Sequence, residues 1–217
     1  MLHPLFPTIG PKELFPLDFT AKNPFWETVD LVSTESFQTA LNSVLEGRVG
    51  VGGYLEPRVI YQRSAHFSGE HARSIHLGLD VWTSPGTAIH APLAGRIHSM
   101  ADNAHFGDYG PTLILEHSLA EPLPPYPAGT LYTLYGHLSR TSLEKWQIGD
   151  TIQAGELLAW VGPAPENGDW PPHLHVQVMT DMLGKQGDFP GVCSPNELSF
   201  YQSICLNPWP LTGWEEI

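Results

Sequence analysis

Three short segments hold residue types that bind metals and move protons. The first is His76-Leu77-Gly78-Leu79-Asp80. In an extended chain alternate side chains share a face, so His76, Gly78 and Asp80 project together while Leu77, Leu79 and Val81 face the core. An imidazole and a carboxylate projecting past a glycine make half of a divalent-metal site, although such a pair also occurs as an ordinary surface pair. The second is His173-Leu174-His175-Val176-Gln177. The same alternation puts His173, His175 and Gln177 on one face and the apolar residues on the other; a half-exposed strand with polar outer residues has this pattern too. The third is His137, after Gly136 at the close of an alternating run, a place where a lone histidine is most often a turn residue. Together they supply two metal-competent faces and one further imidazole.

The elements that must position them are mostly short strands. From Tyr54 onward the apolar period is two, with runs at Thr112–Glu116, Leu131–Tyr135, Leu157–Val161 and Leu174–Met179 punctuated by Gly, Pro, Asn and Asp. Gly86-Thr87-Ala88-Ile89-His90-Ala91 is echoed by Gly149-Asp150-Thr151-Ile152-Gln153-Ala154, each followed by a turn. This predicts a mainly β fold with an antiparallel core of duplicated strand-turn-strand units. One helix precedes it. Phe37, Ala40, Leu41, Val44 and Leu45 fall on one helical face, with Ser33 or Thr34 to cap it and Gly47 to end it. The proline-rich residues 1–24 read as an irregular arm. Gly50-Val51-Gly52-Gly53 reads as a flexible connection, because no helix pattern follows to complete a phosphate cradle. The expected division is an arm and helix over 1–55 and a β domain over 56–217.

Composition removes several function classes. The 217 residues carry 23 acidic against 10 basic side chains, a formal net charge of −13, so neither nucleic acid nor anionic lipid is an expected partner. No apolar run is long enough to span a membrane. Met1–Gly10 does not read as an export signal, and Cys193 and Cys205 are too few for a disulfide framework. The expected compartment is therefore the cytoplasm, with both thiols reduced.

In this order, HLGLD, YGHLS and PPHLHVQV resemble the motifs of the lysostaphin-type (LytM-like) zinc metallopeptidases, which are His-x-x-x-Asp, a His in a Tyr-x-His-Leu segment, and His-x-His. GTAIHAPLAGRI and IGDTIQAGELLAWVG are similar to that family's linking strands, so the resemblance spans residues 56–180. It implies the family's duplicated hybrid motif with a groove. It also implies Zn2+ held by His76, Asp80 and His175, with His137 and His173 as the catalytic pair. The activity implied is hydrolysis of peptide or amide bonds, which family members generally direct at peptidoglycan cross-bridges. The donor set is apt, since catalytic zinc takes three protein ligands and a water whose pKa it lowers toward ~7. Imidazoles with ordinary pKa values near ~6.5 suit proton transfer.

Two departures bear on substrate. Trp170-Pro171-Pro172 stands where the family usually has Ser or Thr, Gly and Pro, which places an aromatic wall near the metal. The wording ENGDWPPHLHVQV, with GDFPGV and NPWPLTG, is also similar to the peptidase-like middle domain of bacterial phosphotransferase/aminotransferase fusion proteins. A small or peptide-like substrate is the expectation. A non-catalytic binding module on the same scaffold is the rival reading, and a third is that the N-terminal arm covers the groove. Trp82 shares a face with His76 and Asp80, Glu166 and Asp169 are alternative ligands, and His117 is a candidate for the groove rim. His66, His71 and the other histidines read as structural.

Overall fold

The computed structural model describes residues 2–63 and 73–217; His66 and His71 lie outside them. Thirteen strands and four α-helices are formed among the described residues. The main sheet runs β1 (Leu14–Leu17), β2 (Val49–Gly52), β4 (Leu79–Trp82), β11 (His173–Met179), β8 (Gly129–Gly136), β7 (Gly110–Leu119), β6 (Gly95–Asn103) and β9 (Thr151–Ile152). Short β13 (Cys205–Leu206) joins the far end of β11. Two small antiparallel sheets flank it, β5 (Ala88–His90) with β10 (Leu157–Trp160) and β3 (Ile75–His76) with β12 (Val192–Cys193).

The fold is mainly β, and its sheet is mixed. All pairs are antiparallel except β1 with β2. Parallel neighbours need a crossover, and α1 (Thr34–Leu45) supplies it. Ser33 caps α1 by accepting from the Ser36 amide at 3.2 Å, and Glu46 and Gly47 end it in left-handed conformations. Two expectations are corrected here. Part of the proline-rich arm is the edge strand β1, where Pro16 costs no pairing with a further strand. The run Gly50–Gly53 is not a loose connection, because Gly50 and Gly52 lie inside buried β2. A Cβ on Gly50 would meet Leu17 Cδ1 at 2.4 Å and Leu45 Cδ2 at 2.9 Å, so any side chain there would displace both leucines.

The repeated units pair reciprocally. The first strand of the first unit, β5, pairs with the second strand of the second, β10, while β6 pairs with β9. Leu174, Val176 and Val178 of β11 enter the large core with Leu79, Val81, Leu113 and Leu115. A second, aromatic core joins the N-terminal segment to the sheet through Phe19, Trp26, Phe37, Trp82 and Trp170. At the opposite end Phe6 stacks on Trp214 at 6.0 Å, and His3 and His90 backbone amides donate to Pro92 and Leu5 carbonyls. No helix among the described residues is long and apolar enough to cross a membrane.

Candidate metal centre

Asp80 and His175 are directly opposed across the antiparallel pair β4–β11, which brings two residues 95 apart in sequence into one register. His76 arrives separately. The expected continuous strand 76–81 is broken at Leu77-Gly78, so His76 sits in β3, one residue pair out of the main sheet. The segment Tyr54–Arg58 runs alongside it: the Leu55 amide donates to His76 O at 2.8 Å and the His76 amide to Glu56 O at 3.0 Å. His76, Asp80 and His175 are all buried, and one ligand atom of each lies within 4.8 Å of the others. Among the described residues they form the only such group.

The proton positions follow from the outer partners. His76 Nδ1 lies 3.0 Å from Gly53 O, which can only accept, so Nδ1 carries the hydrogen and Nε2 a lone pair. His175 Nε2 lies 3.1 Å from Gln177 Oε1, and Gln177 Nε2 donates to Pro190 O, which fixes the amide's orientation. In the neutral tautomer this leaves His175 Nδ1 as the inward-facing acceptor. Asp80 Oδ1 completes the trio, 3.2 Å from His76 Nε2 and 3.0 Å from His175 Nδ1, with the two nitrogens 2.9 Å apart. Burial, then Arg58, push the His76 pKa down to about 3. Asp80 is held well below the ordinary carboxylate range: burial opposes its charge, but His76 and Arg58 outweigh it. With both imidazoles in these neutral tautomers, three lone-pair atoms converge on one point, an arrangement that a cation satisfies. A tetrahedral Zn2+ with bonds of ~2.0–2.1 Å separates its donors by roughly 3.3 Å, so the trio fits it after small adjustments.

The second pair of histidines is beside it. His137 follows β8 with φ 60°, a left-handed conformation uncommon outside glycine. Its amide donates to Tyr109 O, its carbonyl accepts from Gly162, and its Nδ1 donates to Asn167 O at 2.8 Å. His173, the first residue of β11, donates Nδ1 to Pro171 O at 2.8 Å. Its ring lies between the Trp82 indole, with centroids 3.9 Å apart and planes at 17°, and the His137 ring at 4.1 Å. Both imidazoles keep Nε2 as the lone-pair nitrogen. Burial, then the neighbouring His173, hold His137 well below its ordinary pKa, and burial lowers His173 to about 4. The ordinary value near ~6.5 therefore does not apply, and both rings are neutral at neutral pH.

His173, His175 and Gln177 are 3%, 3% and 0% exposed, which removes the half-exposed-strand reading of β11. Trp82, Trp170, His137, His173, His175 and Asp80 line one cleft of ≈ 270 Å³. Trp82 touches His173 rather than the trio. Glu166 Oε1 instead accepts from the Arg140 amide, and neither it nor Asp169 joins the metal trio. His117 is away from the cleft, bound to Ala94 O and Thr133 Oγ1. Sequence reasoning missed Arg58, whose Nη1 donates to Asp80 Oδ2 at 2.5 Å, along with Glu56, Tyr109 and Asn167. These residues have no motif, and only the tertiary pairing brings them to the site.

The sequence model of peptidase family M23 matches residues 74–187, a span that contains all five candidate residues. No curated protein matches the chain. Among solved structures it is similar to a zinc-containing peptidase from Vibrio cholerae, at 23% identity over 48% of this chain and 27% of that one, with a TM-score of 0.37. It thus spans about a quarter of that protein's length. It is also similar to the catalytic domain of the antimicrobial peptidase lysostaphin from Staphylococcus simulans, at 21% identity over 65% and 81% of the two chains and TM-score 0.40. A prophage-encoded M23 catalytic domain from Enterococcus faecalis matches at 20% identity over 60% and 93%, with TM-score 0.39.

Proposed function

The chain belongs to peptidase family M23, and from that premise we propose that it is a zinc-dependent hydrolase of peptide or amide bonds. The observation that carries this reading is the convergence of ligand atoms of His76, Asp80 and His175 with two neutral imidazoles against it. Bound there, Zn2+ would act as a Lewis acid and bring the pKa of a coordinated water toward ~7.

The chain's own residues account for the rest. His137 and His173 each offer Nε2 as a base, since Nδ1 is committed to a backbone carbonyl. Whichever accepts the proton of the attacking water becomes a donor at the same nitrogen. In its buried setting that imidazolium is a strong acid, so passing the proton to the departing amine is downhill. The second imidazole, neutral with its lone pair on Nε2, accepts a hydrogen bond from the other O–H of the attacking water and so orients it. Trp82 and the Asn167 carbonyl restrict the two rings, so that little orientation is lost on reaching the reactive geometry. The proposed substrate is a peptide or a small amide, entering past the aromatic wall of Trp170.

The test is zinc content together with turnover. The purified protein is expected to carry one zinc and to cleave at least one member of a panel of peptides and amides. Chelation should abolish turnover and zinc should restore it. His175→Ala should lose the metal, whereas His137→Ala and His173→Ala should keep it and lose turnover. A His175→Ala protein that retains full metal overturns the ligand assignment. Stoichiometric zinc without turnover on any substrate favours a binding module instead.

A further inference from the structure

Arg58 lies outside the segment that matches the family, and its side chain is fully buried. Its backbone is fixed, with the amide donating to Ser74 O at 2.8 Å beside the His76 strand. Its guanidinium makes a chain of two charge pairs: Nε donates to Glu56 Oε2 at 2.7 Å, and Nη1 to Asp80 Oδ2 at 2.5 Å. Gly52, the cross-strand partner of Asp80, makes room for it, since a Cβ there would lie 2.8 Å from Arg58 Nη2. The next residue, Gly53, gives its carbonyl to His76 Nδ1. The glycine run of β2 is thus shaped around the second layer of the site.

Asp80 therefore uses its two oxygens differently. Oδ1 faces both ligand imidazoles, while Oδ2 is taken by Arg58. A carboxylate bound in this way has Oδ1 turned to the ligand imidazoles and Oδ2 held away from them by the guanidinium. We propose that Arg58, braced by Glu56, is a positioning residue of the metal centre that restricts Asp80 to one-oxygen ligation through Oδ1. This rests on the zinc reading above and adds to it a residue beyond the ligand set. Charge and position act in opposite directions here. A nearby guanidinium repels a cation, so if charge alone mattered its removal would tighten metal binding. If position matters, removal frees Oδ2, lets the carboxylate swing or bind through both oxygens, and weakens binding.

The experiment measures affinity for Zn2+ by chelator competition and the visible spectrum of the Co2+-loaded protein, in wild type, Arg58→Met, Arg58→Lys and Glu56→Gln. Arg58→Met is expected to bind Zn2+ roughly 10- to 100-fold more weakly, the usual size of a second-layer effect. Its Co2+ absorption should lose intensity, as happens when a four-coordinate ion gains a fifth donor. Arg58→Lys, which keeps the charge without the two-armed fork, should recover part of both readouts. Glu56→Gln keeps Arg58 but loosens it, and carries the test if Arg58→Met does not fold; a smaller shift of the same sign is expected. Unchanged or tighter metal binding with a wild-type spectrum in the folded Arg58 or Glu56 variants overturns the proposal and leaves the zinc reading intact. A wild-type protein that binds neither Zn2+ nor Co2+ overturns both.

Discussion

Gly78 and His175 share a space that admits no side chain between them. A Cβ on Gly78 would lie 2.5 Å from Cε1 and 2.6 Å from Nε2 of His175, and 2.7 Å from the backbone oxygen of Val176. Because a backbone atom is among the obstacles, rotating the imidazole gives no relief. Gly78→Ala is expected to push His175 off the trio and abolish stoichiometric zinc binding, with a loss of stability on the order of 1–3 kcal/mol from overpacking. Metal analysis and urea unfolding of this variant check the prediction. Full metal occupancy at wild-type stability would refute it.

The buried histidines predict an acid-sensitive metal-free protein. His173 has its pKa lowered to about 4, and His137 is also well below the ordinary value. Between pH ~6.5 and 4 the unfolded chain binds protons at these sites and the folded one does not, so stability increases with pH across that window. It is fully present above pH ~6.5 and declines as pH falls toward 4. His173 alone accounts for roughly 3 kcal/mol of this at most. Urea midpoints measured in chelator from pH 7.5 to 4 should decline, and decline less steeply in His173→Gln. A flat profile in the wild type contradicts the burial of neutral rings.

Trp82 holds one face of His173. Trp82→Phe preserves a stacking ring and is expected to keep most turnover. Trp82→Leu removes the stack and opens the aromatic core against Phe19 and Phe37. It should cost about 3 kcal/mol of stability and lower kcat while leaving the metal bound. Equal kcat in the two variants would mean that the indole only fills space.

Asn167 secures the loop behind His137. Its Nδ2 donates to Gly162 O and Trp170 O, its Oδ1 accepts from the Trp170 amide, and its backbone oxygen receives His137 Nδ1. Asn167→Ala leaves three buried backbone groups without this partner, and a destabilisation of at least ~2 kcal/mol is expected. Turnover should fall with zinc content unchanged. Asn167→Asp should be worse, because its second oxygen faces two carbonyls.

Removing residues 1–10 should not activate the protein. Among the described residues none of 1–57 lines the cleft, while Leu5 and Phe6 pack in the large core and the Trp214 indole donates to Ile9 O at 3.2 Å. The expected result is a lower Tm with turnover no higher than that of the full chain. A gain in activity on truncation would revive a covering role for the arm.

The site was readable in sequence where its residues follow the strand period. His173, His175 and Gln177 alternate with Leu174 and Val176, so their common face was apparent, and the motif resemblance supplied the proposed division between ligands and bases. The helix was readable for the same reason, with a cap at Ser33 and five apolar residues on one face. What escaped is what depends on approach between distant segments. Arg58 reaches Asp80 across 22 residues and Asn167 reaches His137 across 30, with no local pattern to announce either contact. Strands β1 and β2 were hidden by Pro16, Gly50 and Gly52, residues that lower strand propensity but that the edge position and the tight packing allow. The depressed pKa values also escaped, because burial of a polar strand face depends on what later covers it.

Strand β11 lies between β4 and β8 in the sheet and is what joins its two halves. During synthesis it is also the last of the main ladder to emerge, so Asp80 must wait for a partner 95 residues downstream. Closing so long a loop is slow, because its entropy is lost before any contact rewards it. A nascent chain that ends before residue 173 lacks His175 and with it the third member of the trio. Ion capture therefore reports completed folding, and zinc uptake timed during refolding would mark the moment at which the halves meet.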